Sequence, residues 1–151
     1  MKRALIPLLA VLLLASCATT RPIFPPTASV QEIRQQADGR WRVTVRLQNY
    51  ALRSMRFTRL QLRLGIAGHP AGAIVTTPDM DIAATGSDVT VFTLRPDATA
   101  RAALLADTAG NIAYSLDGSV RAGPEPADQH DYPLMHLGYL SPVPGLPDAW
   151  R

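Results

Sequence analysis

Few residues in this chain are of types and spacings that could do chemistry. The one cysteine, Cys17, closes the run Leu14-Ala15-Ser16-Cys17, and a thiol is a nucleophile. Three histidines are present, and His130, Asp131 and His136 with Asp128 make the nearest approach to a ligand cluster. His130 and His136 share a parity, but six residues along a strand separate them by roughly 20 Å. One ion cannot bridge that gap, and His69 lies far off in a turn, so no metal site is expected. There is no Gly-x-Ser-x-Gly elbow, no glycine loop ending in Gly-Lys-Ser/Thr and no His-Glu-x-x-His, and the single lysine is Lys2. The expectation is a non-catalytic protein without a cofactor.

Arginine is the remaining chemistry. Residues 17–63 hold nine Arg against Glu32 and Asp38, a charge of +7, while residues 64–151 hold four Arg against ten acids, a charge of −6. The two halves nearly cancel, which argues against nucleic acid as a partner. Arg42 and Arg46 share one strand face, and Arg59 and Arg63 are expected on the corresponding face of a partner strand. One reading is a basic sheet face that meets anionic lipid headgroups, lipopolysaccharide phosphates or an acidic envelope protein. The other is a solvated outer face whose arginines pair with aspartates of the second half.

The elements that must carry these side chains follow from alternation. Trp41-Arg42-Val43-Thr44-Val45-Arg46-Leu47 alternates apolar with polar, and Leu60-Gln61-Leu62-Arg63-Leu64 does so again. Each reads as a strand with one buried and one wet face, the two antiparallel over a shared core. Residues 29–36 give an earlier strand, joined to the first long one by the hairpin signal Asp38-Gly39. Residues 65–72 read as a glycine-rich turn, 73–75 as a short strand, 77–86 as a loop with a little edge strand, and 89–94 as a clear strand. Asp97 is a suitable N-cap for a short Ala- and Leu-rich helix over residues 98–106. Residues 112–120 form a strand containing Gly118, and 132–140 the last strand. Trp41, Phe57, Phe92 and Tyr114 are expected in the core, while Trp150 near the end is open to two readings, exposed to dock on a partner or folded back. The sum is an all-β, immunoglobulin-like antiparallel sandwich of about seven strands with one short helix in a connection.

The first residues have another purpose. Lys2-Arg3 precedes an apolar run over residues 4–14, too short to span a bilayer permanently and suited to the hydrophobic part of a secretory signal. With Leu14-Ala15-Ser16-Cys17 it resembles the lipobox of bacterial lipoproteins, in which the cysteine takes diacylglycerol and becomes the first residue after cleavage. Several acyl chains on one residue anchor a protein stably where one chain would not. Ala18, rather than an aspartate, follows Cys17, which resembles the signal for passage to the outer membrane. The expected organisation is therefore a signal peptide over 1–16 and a lipidated Cys17 with a Pro-rich tether over 17–28. A sandwich domain over 29–144 and a tail over 145–151 complete it. The domain is expected to face the periplasm from the outer membrane.

The order of features from Val43 to Leu140 resembles the water-stress and hypersensitive-response (WHy) domain of the late embryogenesis abundant (LEA) type 2 proteins, found also in single-domain bacterial lipoproteins. The strand ending Leu47-Gln48-Asn49, then Leu60-x-Leu62-x-Leu64 and Gly68, carry the resemblance. So do the Ala83-Ala84-Thr85-Gly86 loop, the helix near Leu104-Leu105 and Tyr114-x-Leu116-x-Gly118. The family's Asn-Pro-Asn motif is reduced to Asn49, with Tyr50 and Ala51 in the next two places. The resemblance implies an immunoglobulin-like sandwich, no catalytic or ligand residues, and protection against drying and other stress. A distinct possibility is an accessory lipoprotein that docks one envelope protein through an edge strand or the arginine face.

Overall fold

The computed structural model describes residues 24–106 and 110–151. The signal segment, Cys17 and most of the expected tether lie outside them. Among the described residues, ten strands form two antiparallel sheets packed face to face, with one α-helix. The strands are β1 (Thr27–Gln35), β2 (Trp41–Gln48), β3 (Met55–Ile66), β4 (His69–Thr76), β5 (Met80–Ile82) and β6 (Ser87–Leu94), followed by helix α1 (Ala98–Ala106). After it come β7 (Ile112–Gly123), a single 3₁₀ turn (Pro126–Asp128), β8 (His130–Leu140), β9 (Pro142–Val143) and β10 (Leu146–Trp150). The first sheet runs β6-β2-β1-β10-β9 and the second β4-β3-β7-β8, with β5 on β3 beyond the end of β4.

Alternation dictates the packing. Trp41, Val43, Val45 and Leu47 of β2 are buried and meet Phe57, Leu60, Leu62 and Leu64 of β3 and Leu116 and Val120 of β7 in one core. Fully burying such a side chain contributes about 1.5–3 kcal/mol, so these three strands supply most of the reason to fold. The Asp38-Gly39 hairpin forms as expected: Gly39 takes the positive φ of 78°, and the Asp38 carboxylate accepts the Arg40 backbone N–H at 3.0 Å. Asp97 caps α1, accepting from the backbone N–H of Thr99 at 3.0 Å and its hydroxyl at 2.7 Å. These bonds hold the Asp97 carboxyl below its ordinary pKa.

Three expectations require correction. β2 and β3 are not partners: β2 lies between β1 and β6, and β3 between β4 and β7, so the two long strands face each other across the core. Alternation establishes a buried face but not which sheet a strand joins. The turn expected over residues 65–72 contracts to Ala67 and Gly68, both at positive φ, and strands run up to it on either side. Pro70 is accommodated because β4 is an edge strand. Finally, the C-terminal residues are no tail. β10 pairs with β1 through Ile33–Trp150 and Arg34–Ala149, and Trp150 is 4% exposed. Prolines at 142, 144 and 147 made this stretch read as irregular, but a strand needing only two pairs tolerates them.

Gly118 lies within β7 as expected, and close approach of the neighbouring backbone requires it. A Cβ there would fall 2.0 Å from the Gln61 carbonyl oxygen.

The strand directions define two ends. At the end where β1 begins lie residues 24–26, the β2–β3 loop (49–54), residues 83–86 and the β7–β8 connection. The 36–40 hairpin, the Ala67-Gly68 turn and α1 lie at the other.

Candidate binding surfaces

The separation of β2 from β3 divides the four arginines. Arg42 and Arg46 point outward from the first sheet, Arg59 and Arg63 from the second, and the core lies between. A single basic face of four is therefore absent. On the second sheet Arg63 is bonded to Asp117, its Nε donating at 2.9 Å, and Arg56 donates to Asp79 at 2.8 Å. Arg121, in register beside Arg59, pairs with Asp131 at 2.9 Å. These are exposed pairs, each contributing at most about 1 kcal/mol. On that face the charge imbalance of the two halves is largely neutralised locally. The Asp79 partnership raises the Arg56 pKa and lowers that of Asp79. On the first sheet, Arg42 stands in register with Arg34 of β1, and Arg46 with Ser29 and Val89. Like charges directly opposite oppose each other, and Arg34 is offset by Glu32, whose carboxylate lies 3.5 Å from its Nε, so the basic character of this smaller face rests on Arg42 and Arg46.

Strongly exposed apolar side chains lie elsewhere. Met135, Leu137 and Tyr139 alternate along β8 and point outward, with 81%, 71% and 67% of their surfaces exposed. β8 ends its sheet and pairs only with β7, so one edge of its backbone has no ladder partner among the described residues. Three apolar side chains at period two on an open edge form a surface for adding another strand. Leu134 and Leu140 are buried, but His136 and Gly138 occupy the inward places between them. Gly138 is needed because the Tyr114 ring would stand 2.6 Å from a Cβ there. The Tyr114 hydroxyl crosses to the other sheet and accepts the Val30 N–H at 3.2 Å. Burial raises the Tyr114 pKa, an effect this bond partly offsets. Residues 134–140 are thus apolar on both parities, and period-two reasoning could not choose which side faced water.

Asn49 is fully buried and organises the end where β1 begins. Its Nδ2 donates to the carbonyls of Arg53, Ile82 and Ala83 at 2.9, 3.1 and 3.0 Å, and its Oδ1 accepts from the Ala51 N–H at 2.9 Å. The amide fastens the β2–β3 loop to the segment after β5. It also leaves Tyr50 and Leu52 outside, 50% and 64% exposed. Trp41, Phe57 and Tyr114 are in the core as expected, Phe92 is half-buried, and Tyr132 packs beside His130.

The clefts are shallow. One of about 370 Å³ between the 36–40 hairpin and α1 is lined by Asp38, Gly39, Arg95, Arg101 and Leu105, among others. Among the described residues no group of three His, Cys, Asp or Glu is placed to hold a metal ion; His130 meets the Tyr132 ring edge-on, and His136 lies tilted against Tyr114.

No family model matches this chain, and no curated protein matches it in sequence. Its fold does have counterparts. The solution structure of a candidate LEA protein is 17% identical over 96% of this chain and 87% of its own, with a TM-score of 0.50. A solution structure of a protein from Arabidopsis thaliana is 12% identical over 82% and 83%, with a TM-score of 0.52. At these identities the likeness is one of fold alone: a two-sheet β-sandwich.

Proposed function

We propose that this protein is a non-catalytic lipoprotein of the outer membrane, facing the periplasm, that takes an extended segment of another envelope protein onto the free edge of β8. The observation that carries the docking reading is the stripe Met135, Leu137 and Tyr139 on an edge strand. A surface that worked only by diffuse polar contacts would have no need of it. Backbone hydrogen bonds along β8 would supply affinity, and the three outward side chains would select the partner. The anchor is Cys17 in its Leu14-Ala15-Ser16-Cys17 context, with Ala18 directing the protein outward. Changing Cys17 to Ser should release the protein from the membrane fraction.

The test places a photo-crosslinking residue at Leu137 and, as a control, at Val75, which is exposed on the opposite edge strand. One dominant adduct from position 137 and none matching it from position 75 is the expected result. A diffuse set of adducts from both positions would sink the docking reading.

A second reading is stress protection, favoured by the LEA-like fold. Under it adducts would be diffuse and would broaden on drying. The basic patch of Arg42 and Arg46 would then be the contact for anionic lipid or acidic proteins.

A further inference from the structure

Seen from its anchor, the domain presents an end made for a lipid surface. Phe24, Tyr50 and Leu52 are 52%, 50% and 64% exposed, and all lie at the end where β1 begins. Arg53 stands beside them, exposed, in the same loop. Tyrosine, arginine and large apolar side chains suit the zone between headgroups and acyl chains. The loop that carries Tyr50, Leu52 and Arg53 is also rigid in construction. The buried Asn49 amide fastens it at both of its ends and to the neighbouring 82–83 segment. Little ordering cost then remains to be met on contact.

Distance decides which part of the domain can meet the membrane. Seven residue steps separate Cys17 from Phe24, a reach of at most about 25 Å. β3 alone has 12 residues, a length of roughly 40 Å. The Ala67-Gly68 end is therefore beyond the anchor's reach when the domain stands upright. Met135 is in register with Asp117, which is in register with Arg63, eight residues up β3 from Met55. The β8 stripe consequently starts about 27 Å above the lower end and remains clear of lipid.

Charge argues for the apolar contribution and against steering by anionic lipid. Asp79, Asp81, Asp88, Glu125 and Asp128 lie toward this same end, against Arg46, Arg53 and the Asp79-paired Arg56. We infer that Phe24, Tyr50 and Leu52 form a membrane-contact tip that seats in the headgroup zone beside the lipid anchor, so that the sandwich stands upright with β8 held away. This inference rests on the lipobox reading of Cys17.

The experiment uses the mature lipidated protein in vesicles of zwitterionic lipid. With Cys17 acylated, a substituted cysteine is the one free thiol, and an environment-sensitive fluorophore is attached at Leu52→Cys, Leu137→Cys or His69→Cys. All three positions are exposed, and thermal unfolding of each labelled protein checks that the fold is kept. The expected result is a several-fold rise in emission at position 52 on reconstitution, with positions 137 and 69 remaining as in water. Adding anionic lipid should not increase it. A water-like signal at position 52 in protein that floats with the vesicles would overturn the tip while leaving the anchor standing. Immersion of position 137 would overturn it too, since the domain would then lie on its side. Immersion that appears only with anionic lipid would refute the apolar basis. Protein that fails to float with the vesicles would remove the anchor itself, and the tip with it.

Discussion

Changing Asn49 to Ala should cost this domain a large share of its stability, although the side chain is small and lies in a loop. Truncation strands four groups. Two of the lost bonds are buried, those to the Ala51 N–H and the Ile82 carbonyl, while the carbonyls of Arg53 and Ala83 are half-buried and recover water. A buried polar group left unpaired costs about 1–3 kcal/mol, so the substitution should cost about 2–5 kcal/mol. Against a typical total of about 5–15 kcal/mol that is severe. At about 3 °C per kcal/mol for a domain of this size, the midpoint should fall by roughly 6–15 °C. Urea unfolding followed by tryptophan fluorescence is the natural assay, because Trp41 and Trp150 are both buried and each reports a different end of the chain. The denaturation midpoint should fall with the slope unchanged. Tyr50→Ser in the same loop, whose ring is half exposed, should change stability by no more than about 0.5 kcal/mol. A loss below about 0.5 kcal/mol for Asn49→Ala would refute the reasoning, because the amide would then be replaceable by water.

Two further outcomes follow from the Tyr114 contact. Its phenol has a folded pKa above the ordinary value of about 10, so the folded state resists ionisation that the unfolded chain accepts. A raised folded pKa contributes stability that is whole below the unfolded value and is lost as pH rises through the folded one. Stability should therefore fall above about pH 10, and Tyr114→Phe should flatten that part of the profile in pH-dependent urea titrations. An equally steep decline in the variant would assign it to another group. Gly138→Val should cost about 1–3 kcal/mol by driving a side chain into the Tyr114 ring, measured by the same unfolding curves. A neutral result would mean that the ring swings aside freely.

Much of the fold was legible because one-sided burial leaves a period-two trace. β2, β3 and β7 each place their apolar residues on alternate positions, and each is a strand where the pattern says. The helix and its Asp97 cap were legible for an equally local reason, the bond from Asp97 to the Thr99 N–H. Sheet membership was not. Whether Arg59 and Arg63 share a face with Arg42 and Arg46 depends on which strands pair, and a side chain's parity is silent on that. The β10 strand was hidden because the residues that pair with β1, Ala149 and Trp150, are too few to show a period. The β8 stripe was obscured by apolar residues on both parities, resolved only by the Tyr114 ring occupying the space over Gly138. Asn49 stood out as the remnant of a motif, but two of its four bonds, to the carbonyls of Ile82 and Ala83, reach a segment more than thirty residues away.

The pairing of β1 with β10 also has a kinetic consequence. It joins the first and last strands of the chain order through only two residue pairs. Closing so long a loop costs about 4 kcal/mol of chain entropy on logarithmic scaling, with little ladder to repay it early. The hairpins β1–β2, β3–β4 and β7–β8 have short connections and can form first. β10 is then the last piece to dock and the first to lift, with Trp150 as its plug. Transient opening would expose the flank of Ile33 before any other part of the core, and amide exchange should be fastest there among the central strands. The sandwich has, in effect, a latch at its C-terminal strand.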